Sequence, residues 1–265
     1  MRKVPPVVLL TDFGTSDPYV GQMKGVLHRD FPGVVCLDLY HELPPFSVKS
    51  GAWFIERCRH HMPDPAVWIC VVDPGVGSHR RALAVQVGDA FYLGPDNGLM
   101  TPFIQQNDAR IVSLDLPQDR ISSTTFHGRD LFAPAAVRLL SGELLSDLGK
   151  SISDPILLNS QYGFKQGAQW HSEVMLVDRF GNLVSGLSGD QLPKGDVFGL
   201  IDGNPCGALV ETFSALGPGQ AGLVVGGFGT VEVVVNQDSA AEKFGCSIGS
   251  RLILSTNLSE GAQSP

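Results

Sequence analysis

The sequence predicts an α/β protein in two parts. An N-terminal, mostly parallel α/β sandwich domain covers residues 1–155, a linker 156–169, and a smaller C-terminal β-barrel-like domain 170–258. Three observations carry this. Up to about Leu140, short β-branched runs alternate with stretches of helical period, the pattern of a largely parallel sheet covered on both faces. From Asp154 to about Gln169 both periods are lost among proline, glycine and amide residues. Beyond that, β-rich runs are separated by glycines, which suits a small antiparallel sheet or barrel.

Taken in order, "VVLLTD" is a continuous apolar run ending in a carboxylate and reads as a buried strand. Val20, Met23, Val26 and Leu27 recur at helical spacing. "VVCLDLY" is the next strand, and Val48, Ala52, Ile55 and Arg59 mark a second helix. "AVWICVVD" and "ALAVQV" are further strands, and Leu131, Ala135, Ala136, Leu139 and Leu140 a late helix. In the second part "SEVMLVDRFGNLV", "AGLVVGGFGTVEVVVN" and "SRLILS" are strand-forming, and Ser239 to Phe244 alone reads as helical. The tail "NLSEGAQSP" is polar and expected to fray.

With 265 residues, 43% hydrophobic and 17% charged, the chain can bury a sizeable core. Its 19 basic and 27 acidic residues give a formal charge of −8 without a Lys/Arg run, which argues against a nucleic-acid partner. Five scattered cysteines include no C-x-x-C pair and suggest neither a disulfide framework nor a zinc site. The start "MRKVPPVVLLTDFG" has too short an apolar run for a signal peptide or a membrane span, so a cytoplasmic protein without membrane contact is expected.

Ligands of open parallel sheets bind beyond the carboxyl ends of the strands. Three aspartates end strands in this way: Asp12 in "LLTDFG", Asp73 in "VVDPG" and Asp96 in "YLGPDNG". Each also has a structural reading. Asp12 suits an N-cap of the following helix, "PDNG" is a turn signal, and Asp73 with Arg80 makes an ion pair. The loop "VVDPGVGSHRRAL" resembles a phosphate cradle, but it lacks the Lys-Ser/Thr ending and runs into a strand rather than a helix, so that reading fails. His127, in "TTFHGRDLFAPAA", lies on an irregular stretch just ahead of a helix, where a loop side chain reaches a site. A histidine, an aspartate and an arginine from loops at one sheet edge form a candidate catalytic set. A metal site is disfavoured. His60 and His61 are adjacent in a helical tail, His41-Glu42 lacks the second histidine of H-E-x-x-H, and no carboxylate cluster occurs.

Together, "LLTDFGTSDPYVGQMKGVL", "HELPPF", "VVDPGVGSHRRAL", "GPDNGL", "FHGRDLFAPAA" and "VDRFGNLV" closely resemble the S-adenosyl-L-methionine hydroxide adenosyltransferases, relatives of the fluorinating and chlorinating enzymes. The resemblance runs from about Val8 to Gly249. It implies a homotrimer with active sites between subunits, no cofactor and no metal, and attack of water on ribose C5′ of S-adenosyl-L-methionine to release adenosine and L-methionine. It places the water-activating set on Asp73, Arg80 and His127 and the ribose-diol carboxylate on Asp12. "D-x-F-G-N" falls on Asp178, Phe180 and Asn182, implied to bind the methionine amine and the adenine. "GGFGTVEVVVNQ" puts Phe228 and Glu232 near the substrate. Gly227, Thr230 and Ser185-Gly186 depart from the family pattern, in the region implied to meet the methionine carboxylate. Halogenating relatives carry an aromatic residue at the position of Asp73; the hydrolytic set is intact here.

The chemistry fits these residues. Water has a pKa of about 15.7, so without a metal it must be positioned and its developing hydroxide stabilised. Arg80 is always charged; Asp73 orients it; His127 serves as base or as water-orienter. The rival expectations are a 5′-halogenase, a module that binds adenosyl ligands without turnover, and a metal hydrolase resting on His60-His61. No role follows for Arg81.

Overall fold

The computed structural model describes residues 4–115 and 123–256, so the tail 257–265 lies outside the described residues. The chain divides into two compact units, Met1–Ser160 and Gln161–Pro265.

The first unit contains β1 (Val7–Thr11), α1 (Tyr19–Asp30), β2 (Cys36–Tyr40), α2 (Val48–Cys58), β3 (Val67–Val71), β4 (Ala82–Val87), β5 (Ala90–Pro95), α3 (Thr101–Ile104), β6 (Arg110–Leu114), α4 (Ala133–Leu140) and β7 (Gly149–Ser151). They form one seven-stranded sheet of order β2-β1-β3-β5-β4-β6-β7. The β2-β1-β3-β5 half is parallel; β4, β6 and β7 extend it antiparallel. The change of direction has a local cause. Gly88, at φ 55°, opens a two-residue turn that sets Val87 opposite Ala90, and so short a connection allows only an antiparallel pair.

Side chains alternate across the strands. Val7, Leu9, Val67, Ile69 and Val71 face one core with Met23 and Leu27 of α1 and Ala136 and Leu139 of α4. On the opposite face Trp68 meets Phe103 of α3 edge-on. α2 packs so closely there that a Cβ on Gly51 would lie 2.6 Å from Leu99. β1 lies between β2 and β3, so the chain reverses direction across the sheet at the β1/β3 pair, where Thr11 stands opposite Val71. This is the switch point at which open sheets bind ligands, and Asp12 and Asp73 leave it together.

The second unit contains β8 (Gly163–Gln166), β9 (Gln169–Val177), β10 (Leu183–Ser188), β11 (Phe198–Ile201), β12 (Asn204–Ala208), β13 (Ala221–Val225), β14 (Thr230–Val235), α5 (Ala240–Phe244) and β15 (Arg251–Ser255). Its antiparallel sheet runs β12-β11-β15-β9-β10-β14-β13, with β8 added on β9. A bridge between Leu209 and Leu223 and a bond from the Val210 amide to the Leu223 carbonyl (2.8 Å) bring the two ends together. The nearly closed barrel surrounds Trp170, Leu183, Val197, Ile201, Val233 and Leu252.

Several segments differ from the sequence expectation; in the first unit α3, β6 and β7 correspond to no element expected from the sequence. Gly163–Gln166, inside the expected linker, is β8, because Gly167 at φ 60° folds it straight onto β9 with Gln166 opposite Gln169. β11 and β12 form a hairpin not anticipated at all. Its turn is Asp202-Gly203, both at positive φ, the Asp-Gly signature of a type I′ turn. The expected helix near Ser239 is α5, capped by Ser239 Oγ on the Glu242 amide (3.1 Å) and closed by Gly245 at φ 63°.

Gly186 of β10 explains one departure from the family pattern. A Cβ there would lie 2.5 Å from Tyr162 Cβ and 2.6 Å from the Tyr162 carbonyl oxygen, so the position admits no side chain while Tyr162 stays in place. Gly186→Ala is expected to destabilise the chain by about 1–3 kcal/mol in urea unfolding, as overpacked sites do; an unchanged midpoint would mean that Tyr162 yields freely.

Candidate active site

The site is built from the loop between β3 and β4, which carries Asp73 at its start and Arg80 at its end. Both feet of this loop are held by consecutive residues of the "PDNG" turn. Asn97 donates its amide to the Val72 carbonyl (2.9 Å). Asp96 accepts Arg81 Nε (2.7 Å) and donates its backbone amide to the Arg81 carbonyl (2.9 Å). Arg81 also donates to the Asp154 carboxylate (2.7 Å) and carbonyl (2.6 Å). Asp96, only 2% exposed, is therefore an anchor and not a third carboxylate of a shared site, and Arg81 acquires the role the sequence did not supply. At the loop's bend Gly77 has φ 77°, and a Cβ would stand 3.0 Å from the Thr124 carbonyl, so this close approach of the two loops requires glycine.

Arg80 lies between Asp73 and His127. Its Nε donates to both Asp73 oxygens at 3.0 Å, and its Nη2 donates to Asp73 Oδ2 and to His127 Nδ1, the latter at 2.8 Å. The pair is nearly enclosed, with side-chain exposures of 9% for Arg80 and 4% for Asp73. A guanidinium only donates, so His127 Nδ1 must accept, and the imidazole is neutral with its proton on Nε2. Burial holds the His127 pKa below the usual histidine value, and the Arg80 charge lowers it further. His127 stands at the mouth of a π-helical turn, Gly128–Phe132, just ahead of α4; such turns are rare and recur at functional sites.

Asp12 does not cap α1. The helix starts seven residues later, preceded by Pro18, and Asp12 Oδ2 instead accepts the Phe46 backbone amide (2.8 Å). Phe46 holds φ 68°, uncommon for a phenylalanine, and this conformation aims its amide at the carboxylate. Burial raises the Asp12 pKa, the Phe46 amide offsets this in part, and the Asp73 charge adds to it. Asp12, Asp73 and His127 line one cavity of about 390 Å³ whose walls include Phe13, Tyr19, Phe46 and Phe126. The structure therefore gathers Asp12, Asp73, Arg80 and His127, directly or through one hydrogen bond, on a mostly apolar cavity at the sheet's switch point. Such an enclosure can fix one small nucleophile between a cation, a carboxylate and an imidazole N–H.

The second unit gathers its own candidates. Asp178 accepts the amides of Phe180 and Asn182 (both 2.9 Å) and the Asn182 side-chain amide (2.9 Å), locking the "DRFGN" turn and leaving Phe180 77% exposed. Phe180 and Asn182 line a cavity of about 560 Å³. Glu232, on β14, lies over Gly226 so closely that a Cβ on the glycine would overlap it. Burial, assisted by the Asp178 charge, pushes the Glu232 pKa up to about 7. Phe228 is half-buried in the β13–β14 turn.

Among the described residues no group of three or more His, Cys, Asp or Glu could hold a metal ion, and His60 and His61 are exposed. No helix among them is long and apolar enough to cross a membrane.

Comparison with known proteins bears on this geometry. The model of the SAM hydroxide adenosyltransferase N-terminal domain matches residues 7–149, and that of the C-terminal domain residues 172–253. An (R)-S-adenosyl-L-methionine hydrolase of Thermus thermophilus is 36% identical over 255 residues, 92% of this chain and 97% of that protein. A protein of the same name from Salinispora tropica is 34% identical over 95% of this chain and 98% of its own. Proteins named fluorinase match at 24–25% identity. Among solved structures, an uncharacterized conserved protein of Thermotoga maritima aligns with a TM-score of 0.84 at 26% identity, covering 94% of this chain and 99% of that one.

The His127 assignment is testable by nitrogen NMR. Its titration midpoint is expected below 6.5, with the proton on Nε2 above the midpoint. Because the folded pKa is lowered, the neutral-ring contribution to stability is complete above pH 6.5 and is lost as pH falls through the folded value. A midpoint above 6.5, or a proton on Nδ1, contradicts the donor assignment.

Proposed function

This chain belongs to the SAM hydroxide adenosyltransferase family, and we propose that it hydrolyses S-adenosyl-L-methionine with a water held by Asp73, Arg80 and His127. The observation that carries the reading is the bond from Arg80 to His127 Nδ1 beside the Asp73 carboxylate, on the wall of the switch-point cavity.

In the reaction the water oxygen forms a bond to ribose C5′ while the C5′–S bond breaks. Its electron pair goes to the sulfonium sulfur, so methionine leaves as a neutral thioether and needs no general acid. Adenosine, L-methionine and one proton result. With Nδ1 occupied by Arg80, the neutral His127 offers Nε2–H to a water lone pair and orients it; the other lone pair is left for C5′. Asp73 keeps acceptor capacity beyond its bonds to Arg80, accepts a hydrogen bond from the water, and takes its proton as the C5′–O bond completes, passing it on to solvent. Arg80 favours the hydroxide-like oxygen as charge develops. Asp12 receives the ribose diol. Asp178, Phe180, Asn182, Phe228 and Glu232 serve the adenine and methionine ends, the carboxylates suiting the methionine ammonium. No step calls for a metal or cofactor.

The relatives' name specifies the (R) sulfonium, and we assign that epimer to this chain. A sulfonium bearing three different carbons is a stereocentre, so a hydrolase selective for one configuration removes it and spares the other. We also assign the homotrimer that the family resemblance implies; a neighbouring subunit over Phe46, 72% exposed on the cavity rim, would keep bulk water from the cation.

Incubation with an epimeric mixture should yield adenosine and methionine in equal amounts from the (R) form. Arg80→Ala, His127→Ala and Asp73→Asn should each lower kcat by about 10²–10⁴-fold. Product lacking adenosine, or 5′-halogenated nucleoside formed in chloride or fluoride buffer, would overturn the hydrolytic reading; a monomer in light scattering that retains full activity would overturn the trimer.

A further inference from the structure

Behind Asp12 runs a chain of hydrogen bonds with a single consistent direction. The Phe13 amide donates to Thr11 Oγ1 (3.3 Å), and Thr11 Oγ1 is 2.8 Å from His41 Nδ1. His41 Nε2 is 3.0 Å from Asp38 Oδ1, and Lys24 Nζ donates to Asp38 Oδ2 (2.5 Å). Thr11 is fully buried and His41 is 4% exposed, while Asp38 stands at the surface with 44% side-chain exposure. With Lys24 charged and Asp38 accepting, His41 donates from Nε2 and accepts the Thr11 hydroxyl at Nδ1, so the Thr11 and His41 side-chain hydrogens both have partners.

The same histidine holds the far side of Asp12. Its carbonyl accepts the Gly14 amide (2.8 Å), the adjacent Glu42 accepts the Thr15 hydroxyl (2.7 Å), and the segment it begins ends at Phe46, whose amide fixes the Asp12 carboxylate. "HELPPF" is thus one clamp on residues 11–15, with His41 at one end and Phe46 at the other.

We propose that His41 is a positioning residue for the ribose of the substrate, acting through Thr11 and the 41–46 loop on the carboxylate of Asp12. The proposal rests on Asp12 being the carboxylate that receives the ribose diol. A cis-diol donates one hydroxyl to each carboxylate oxygen, and such a paired contact depends on carboxylate orientation more than on charge. Removing the His41 side chain leaves Thr11 and Asp38 without their buried partner and frees the carboxylate to turn.

The test is competitive inhibition by adenosine and by its 2′-deoxy and 3′-deoxy forms, measured with kcat and KM for S-adenosyl-L-methionine. The wild type should favour adenosine by about 10-fold or more, as a bond to a charged group implies. His41→Leu should lose most of that preference and raise KM more than it lowers kcat. His41→Gln places an amide oxygen and an N–H about where the two ring nitrogens lie, and should stay within about threefold of wild type. If circular dichroism finds His41→Leu unfolded, Asp38→Ala, at the exposed end of the chain, should produce the same loss of preference. Retained preference in the folded variant, or Gln as impaired as Leu, overturns the proposal. Equal inhibition by all three nucleosides in the wild type would instead overturn the reading of Asp12 on which it rests.

Discussion

The site depends on one arginine that the protein's own side chains hold in place. Arg80 is gripped by both oxygens of Asp73, and this leaves an Nη2 hydrogen directed at His127. Because a guanidinium neither loses its proton nor accepts one, it decides the state of its neighbours: Asp73 is an acceptor, and His127 is neutral with a bare Nδ1. Enclosing this pair costs desolvation. The bidentate geometry offsets that cost, and the scaffold supplies the rest by tying the loop at both ends to Asp96 and Asn97.

On the proposed hydrolytic reading, that arrangement handles water with these side chains alone. A cation beside the nucleophile stabilises hydroxide character, a carboxylate takes the hydrogen bond, and a neutral imidazole donates one; none has to change protonation state while C–O bonding begins. The aromatic walls formed by Phe13, Tyr19 and Phe126 keep the local dielectric low, which strengthens attraction between a hydroxide-like oxygen and a sulfonium. Asp12 works at the other edge of the cavity and is prepared differently. Among the described residues it has no cationic partner; it is held by a backbone amide from a residue at positive φ, with a buried histidine network behind it.

Much of the fold was legible because the first unit obeys periodicity. Apolar runs such as "VVLLT" and "VWICV" could only be buried strands, and the rule that ligands meet the carboxyl ends of parallel strands led to Asp12 and Asp73. Elements without an apolar run were not legible. β8 is short and largely exposed, and the β11–β12 hairpin hid behind glycine and proline although Asp202-Gly203 announced its turn. Within the site, Asp73, Arg80 and His127 were readable as residue types on loops. Their supports were not. The Asn97–Val72 bond and the Thr11–His41–Asp38 chain join residues 25 and 30 positions apart or turn on a single histidine, and no period marks such contacts. Asp12 misleads by a local rule: aspartate before a helix suggests a cap, but six loop residues intervene and the carboxylate turns to Phe46 instead.

The claim that Arg80 and His127 act as one unit is tested most directly by a double-mutant cycle on kcat/KM, comparing Arg80→Ala, His127→Ala and the combined variant. If the two hold a single water together, the combined variant loses little more than either single one, so the coupling is large. Losses that simply multiply would mean that the two residues act independently and that the bond between them carries no part of the catalysis.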